Sequence, residues 1–260
     1  MRINFFEEYP TEENMAKLNL IGWSSTILIA APSLKEFEDI RTKYSNQYPL
    51  ITFGWWPTIA GSYWVSGLSN SEDLKRLFIE LTSKIHDKEL PVLIDLELPI
   101  KKYLYFKNIF NVGRNKKIIS KFFTEASQYN LKIYTAEYPA FNSLMHKFWQ
   151  LLGISPSFKF KHIKLPMCYS SMGVKYFGEK IWSLVKKFER KFSMKNPGRV
   201  GFGLGTIAIG VLGNEPILEI EKFKTDMIWA KQSGVSEVFI FRLGGMNKQH
   251  QTILSDFISD

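Results

Sequence analysis

Two carboxylates stand two residues apart in an otherwise apolar run, Leu93-Ile94-Asp95-Leu96-Glu97-Leu98-Pro99. Side chains of an extended strand alternate between faces, so Asp95 and Glu97 share one. An apolar strand has no reason to turn two carboxylates toward covering helices, so the inward face is the cheaper choice. Carboxyls crowded in a partly dry place repel each other, and at least one keeps its proton to higher pH. A protonated acid beside an ionised partner is what glycosidic cleavage uses. The competing reading is a pair of rim charges matched to Lys or Arg. Glu8-Tyr9-Pro10 and Glu137-Tyr138-Pro139 repeat the Glu-x-Pro spacing of Glu97-Leu98-Pro99. A proline there ends strand pairing and fixes the turn. Glu97 is the candidate general acid and Asp95 the group that orients substrate or stabilises positive charge. Glu8 and Glu137 are alternatives for nucleophile or base.

Aromatic residues accompany these carboxylates. Trp55-Trp56 closes one strand, Trp64 follows in its loop, and Tyr9, Tyr138 and Tyr169 stand at other strand ends. Flat rings stack on the apolar faces of sugars, and they also pack loops together. Trp55, Trp56, Trp64 and Tyr138 are the candidate sugar-binding surfaces. Glycines gather late in the chain, at Gly201-Phe202-Gly203-Leu204-Gly205 and Arg242-Leu243-Gly244-Gly245. Gly244-Gly245 with Arg242 offers a phosphate anchor of the kind made by backbone N–H groups at a helix start. The alternative is that glycine relieves crowding between strands.

Other chemistries lack parts. Neither Gly-x-Ser-x-Gly nor a phosphate-binding Gly-x-x-x-x-Gly-Lys-Ser/Thr occurs. Cys168 has no neighbouring His, Lys164 lies low in its strand, and His162 reads as structural. Glu8, Asp95, Glu97 and Glu137 are oxygen donors, but no His accompanies them, so no metal or other cofactor is expected.

The elements that must position these residues alternate between short apolar runs and helical patterns. Strands are expected at Ile3–Glu8, Thr26–Ala31, Leu50–Trp55, Val92–Leu98, Lys132–Glu137, Ile163–Tyr169, Arg199–Leu204 and Glu237–Leu243. Helices follow them: one opening at Thr11, one from Ser33 to about Tyr44, one from Asn70 to about His86, and one from about Asn115 to Tyr129. Further helices are expected near Asn142–Leu152, from Val174 to Phe192, from Pro216 to before Gly234, and from about Asn247. The β4 connection also carries a basic, aromatic insertion, Lys101–Asn111. Runs such as TILIAA, PVLIDLEL and VFIFRL suit parallel strands buried on both faces. Eight βα units in 260 residues are the arithmetic of a single (β/α)8 TIM barrel spanning 1–260, in the α/β class. In that fold, chemistry gathers at the C-terminal strand ends. A doubly wound open sheet is the competitor.

Strand four resembles the end of the signature of family 18 glycoside hydrolases, the chitinase-like barrels, which reads Asp-x-x-Asp-x-Asp-x-Glu. Met167-Cys168-Tyr169-Ser170 is similar to that family's Met-x-Tyr-Asp, and Gly54-Trp55 and the Gly-rich strand seven are similar too. The resemblance implies a carbohydrate substrate, with Glu97 as catalytic acid and Asp95 orienting an N-acetyl group that itself attacks the anomeric carbon. It also implies that Tyr169 contacts that group. The chain departs from the signature at Leu90 and, around Val92, at Leu93, as well as at Ser170 and at Phe241-Arg242, where the family has Trp.

The net charge is +9 and the chain has one Cys, which excludes a disulfide scaffold and Cys-based zinc. The basic residues cluster at Lys101-Lys102, Arg114 to Lys117, Lys159-Lys161, Lys186 to Lys191 and Lys222-Lys224, mostly on helices or their connections. A basic shell around an acidic mouth argues against nucleic acid in the site. No secretory signal or membrane-spanning run is visible, so a cytoplasmic protein without a membrane partner is expected. The expected function is carbohydrate binding or cleavage, by a hydrolase of glycosidase type. Two alternatives stand beside it: a lyase or isomerase acting on a phosphorylated metabolite, and a barrel that binds sugar without cleaving it.

Overall fold

The computed structural model describes residues 1–59, 62–83, 90–101, 103–128 and 131–258. The strands are β1 (Arg2–Glu7), β2 (Ser25–Ala31), β3 (Ile51–Pro57), β4 (Val92–Leu96), β5 (Ile133–Glu137), β6 (Ile163–Pro166), β7 (Phe202–Gly205) and β8 (Glu237–Phe241). They form one sheet in the order β6-β5-β4-β3-β2-β1-β8-β7, with every adjacent pair parallel. Bridges Lys164↔Val200 and Met167↔Gly203 join β6 to β7, which closes the ring. The fold is a single (β/α)8 TIM barrel.

The outer ring comprises α1 (Glu12–Met15), α2 (Leu34–Ser45), α3 (Ser71–Ser83), α4 (Tyr103–Asn108), α5 (Val112–Gln128), α6 (Ser143–Leu151), α7 (Ser170–Lys195), α8 (Ile220–Gln232) and α9 (Lys248–Ser255). Their starts are chemically marked. Side-chain oxygens of Thr11, Ser33, Asn142 and Asn247 accept first-turn N–H groups of α1, α2, α6 and α9. Asn70 does the same for α3, 2.9 Å from the Glu72 nitrogen.

Several strand ends shift by one to three residues from the sequence reading, β4 ending at Leu96, β6 at Pro166 and β7 starting at Phe202, and three connections differ more. The insertion after β4 is not a plain loop but contains α4. Helix α7 starts at Ser170, four residues before Val174, and is interrupted at Gly178, whose φ of 74° breaks the helical path. No helix starts at Pro216: residues 206–219 form a loop, and α8 begins at Ile220. The expected helix ends near His86 and Tyr129 lie outside the described residues.

Alternation divides the strands into two cores. Ile3, Phe5, Ile27, Phe53, Val92, Ile94, Ile133 and Val238 face the helices within the larger apolar cluster. Phe6, Leu28, Leu93, Tyr134, Leu165 and Phe239 fill the barrel interior. Phe239 touches Phe6 and Tyr134 with ring centroids 5.1 and 4.8 Å apart. Below this layer, buried Glu237 accepts hydrogen bonds from Asn4 at 3.2 Å and the Tyr134 hydroxyl at 3.1 Å, and pairs with Arg2 at 3.3 Å. The barrel interior is thus packed and polar-plugged at its floor among the described residues, and it opens toward the C-terminal strand ends.

Candidate active site

A cavity of about 440 Å³ occupies that end, walled by aromatic and aliphatic side chains and by four carboxyls: Glu8, Asp95, Glu97 and Glu215. No Lys, Arg or His is among its described lining residues. Strand β4 supplies the centre. Leu93, Asp95 and Glu97 alternate into the barrel while Val92, Ile94 and Leu96 join the helix-facing core. Asp95 is buried and Glu97, just past the strand end, is half-buried.

Burial dominates the titration of every acid here. It pushes Glu97 up to about 7, against hydrogen bonding from Tyr138 and Asp95, with the charges of Glu8 and Glu215 adding to the rise. Asp95 is raised well above the ordinary range by burial and then by the neighbouring Glu97 and Glu8 charges. The Asp95–Glu97 pair therefore retains a proton at neutral pH. Glu8 rises to about 6, mainly through burial. Its Oε1 accepts a 2.7 Å hydrogen bond from the Tyr63 hydroxyl. Tyr63 is held with φ of 66° by the Ile59–Tyr63 bridge, a conformation that costs a side-chain-bearing residue on the order of 1 kcal/mol.

The loop after β7 seals one side. A Cβ on Gly210 would lie 2.6 Å from the Phe241 ring, 2.8 Å from Glu8 Oε2 and 2.9 Å from Glu215 Oε1. Only glycine lets this backbone lie against both carboxyls. Glu215 Oε1 accepts the Leu212 N–H at 2.9 Å. Tyr169 is buried with its ring 5.6 Å from Phe241, and burial and then Asp95, Glu97 and Glu8 hold its hydroxyl protonated. Trp56 lies edge-on to Phe6 and Tyr63, and Trp64 edge-on to Tyr63.

Among the described residues, four buried polar atoms here make no close hydrogen bond, Glu8 Oε2, Asp95 Oδ1, Glu215 Oε2 and the Trp56 indole nitrogen, although the indole is directed at Asp95 and the Val211 N–H at Glu8. Each such atom costs a fold about 1–3 kcal/mol. Their convergence on one cavity leaves polar groups there that water or a bound molecule can engage. Among the described residues, no group of three or more His, Cys, Asp or Glu side chains is placed to hold a metal ion.

The structure therefore brings Glu8, Asp95, Glu97, Tyr169, Trp56, Trp64 and Tyr138 to one cavity, and leaves three expected residues outside it. Trp55 neighbours Trp56 in the strand and must point the other way. It is fully buried on the helix side, stacked on Phe37 at 6.2 Å with its indole N–H on the Ala31 carbonyl. Glu137 also faces outward, because Ala136 takes the inward position. It pairs with Lys164 at 2.7 Å, and the Lys164 Nζ also reaches Ser155 and His146. Arg242 turns away to Glu7 at 2.7 Å and to the Ile209 carbonyl. Glu7 also accepts the Gly244 N–H at 2.6 Å. The donors expected to hold a phosphate thus already hold the chain's own carboxylate.

Sequence reasoning missed Glu215 and Tyr105, and it read Tyr63 with Trp64 only as a loop aromatic, not as the partner of Glu8. Glu215 was hidden by Pro216, which reads as a helix start. The signal for it was the glycine spacing around it, Gly210 and Gly213, which marks a loop free to fold over the mouth.

No family model and no curated protein matches this chain. Solved structures do. A chitinase from Rhizomucor miehei superposes with a TM-score of 0.63 at 9% identity, over 99% of this chain and 100% of that one. The spore cortex-lytic enzyme SleL from Bacillus megaterium gives 0.59 at 10% identity, over 99% and 74%. A D-allulose 3-epimerase from Methylomonas sp. gives 0.55 at 10% identity, over 99% and 98%. At these identities the likeness is one of fold.

Proposed function

We propose that the protein cleaves a glycosidic bond in the cavity at the barrel mouth. The observation that carries this reading is the Asp95–Glu97 pair: two carboxyls side by side on β4, desolvated, facing an aromatic cavity and sharing a proton at neutral pH. Glu97, the more accessible of the two, donates the proton to the leaving oxygen. That transfer leaves Glu97 as the carboxylate, and Asp95, already ionised when the pair's proton sits on Glu97, stabilises the positive charge that develops at the anomeric carbon. Tyr169 keeps its hydroxyl proton and offers it as a hydrogen bond to the substrate's own N-acetyl oxygen, which bonds to the anomeric carbon as the leaving oxygen departs; water then opens that intermediate and Glu97 takes back a proton. Trp56 and Trp64 bound the ring. The chitinase and the cortex-lytic enzyme among the fold relatives make N-acetylated oligosaccharides the first substrates to test. Glu97→Gln is expected to lower kcat by about 10²–10⁴-fold while substrate still binds. Unchanged turnover across an oligosaccharide panel overturns the reading. Binding without turnover in the unaltered protein points instead to a sugar-binding barrel.

A second reading has its own support. Glu8, just past β1, and Glu97, just past β4, face one cavity and titrate at about 6 and 7. That pairing suits proton transfer at a carbon beside a sugar carbonyl, as in an epimerase or isomerase. Deuterium uptake from heavy water into a free ketose such as D-fructose, lost in Glu8→Gln, would favour it over hydrolysis.

A further inference from the structure

The β4–α5 connection carries a feature the cavity chemistry does not use. Between Glu97 and Glu125 the chain has no Asp or Glu, but it has Lys101, Lys107, Arg114, Lys116, Lys117 and Lys121. Aromatic and aliphatic side chains are interleaved with these cations and left in the open. Phe106 is 83% exposed and Phe110 95%, with Tyr103 and Ile109 beside them at 60% and 56%. Single exposed apolar residues are ordinary, but contiguous patches on a monomer mark contact sites.

Tyr105, on α4 with Tyr103 and Phe106, lines the cavity, which brings α4 to the cavity mouth. Ile100 before α4, Tyr176 and Phe177 in α7, and Leu212 in the β7–α8 loop all line the cavity, and each is also at least 37% exposed. Three separate connections thus present one apolar collar around one opening. Arg114 and Lys121 pair with Glu72 and Glu125, whereas Lys101 and Lys107 form no ion pair among the described residues. Lys175, on α7, is held by the Asn214 carbonyl and its own neighbour Tyr176.

We infer that this collar docks the barrel mouth onto an anionic lipid bilayer. Aromatic and aliphatic side chains enter the boundary between headgroups and acyl chains while flanking lysines meet lipid phosphates. Charge decides among occupants. A two-fold contact with a second copy would bring Lys101 and Lys107 against their own counterparts, with no acid in 98–124 to offset them. Single-stranded nucleic acid would use the rings for stacking, but it would leave Ile100, Ile109 and Leu212 unused. A bilayer uses the aliphatic, aromatic and cationic members together. No described helix is long and apolar enough to cross a membrane, so attachment is peripheral. The basic charge that reads from the sequence as a solvated shell has, on this side, a directed use.

The test is co-sedimentation of the full chain with vesicles of phosphatidylcholine alone and of phosphatidylcholine mixed with phosphatidylglycerol. Partitioning is expected to be at least about tenfold stronger on the anionic vesicles and to weaken with salt. The double substitution Phe106→Ser, Phe110→Ser should reduce it by more than about tenfold. Lys101→Glu should cost about fivefold or more. Met194→Ser, which removes an exposed side chain at the far end of α7, should leave it unchanged. Thermal melts that match the unaltered chain establish that the variants fold. Equal partitioning on both vesicle types, none on either, or unchanged binding by the double Phe variant overturns the proposal. So does a concentration-dependent dimer, or binding to a single-stranded oligonucleotide in preference to vesicles, that the double variant abolishes.

Discussion

Glu97→Gln should make the protein more stable, and the gain should grow with pH. Glu97 titrates at 4.5 in an unfolded chain and is pushed to about 7 in the folded one. Below the unfolded value, both states carry the proton and the native fold bears no penalty. As pH rises from 4.5 through 7, the unfolded chain releases the proton easily while the folded chain must ionise a desolvated carboxyl beside Asp95. Stability is therefore full at low pH and is lost across that window. The shift corresponds to about 3 kcal/mol, or roughly 6 °C in Tm for a chain of 260 residues. A neutral glutamine removes the titration. Melting curves of both proteins by circular dichroism, from pH 4.5 to 8, give the result as a difference, which cancels acid effects elsewhere in the molecule. The variant's advantage should grow with pH and level off above about 7. A difference that stays flat with pH, or a variant less stable at pH 8, would refute the claim that burial strains this carboxyl.

Three further outcomes follow from the same geometry. If Glu8 works ionised and Glu97 protonated, the pH profile of kcat/KM should be narrow and bell-shaped with limbs near 6 and 7, and Glu8→Gln should flatten only the acid limb. Glu7→Ala strips the partner from buried Arg242 and from the Gly244 N–H and should cost about 3–5 kcal/mol, read by urea denaturation. The two adjacent tryptophans should separate cleanly. Trp55→Ala should lower stability by about 3–5 kcal/mol, whereas Trp56→Ala should raise KM with a smaller loss of stability, measured by melting and by steady-state kinetics.

What was legible from sequence was periodic. Eight apolar runs separated by helical patterns gave the barrel, because a parallel strand buried on both faces has little freedom in composition. Asp95 and Glu97 were legible as a pair because a spacing of two places them on one face in any register. Alternation also forbids Trp55 and Trp56 from lining the same space, yet it does not say which of them is inside. Glu137 shows the limit. Its Glu-x-Pro setting matches that of Glu8, but only the position of Ala136 in the register reveals that it faces the helices. Arg242 and Glu215 were obscure for another reason. Their placement depends on contacts made by residues far apart in the chain: Glu7 with Arg242, and Gly210 with both Glu8 and Glu215.

The packed floor of the barrel has a kinetic consequence. With Phe6, Leu93, Tyr134 and Phe239 closing the interior, and Glu237 plugging it beneath, the cavity is a blind pocket with one entrance. Whatever is released at Asp95 and Glu97 must leave past the residues that admitted the next molecule. If the cavity cleaves its ligand as proposed, product and substrate share this doorway, and the loop bearing Gly210 and Leu212 at its edge is where turnover would be throttled.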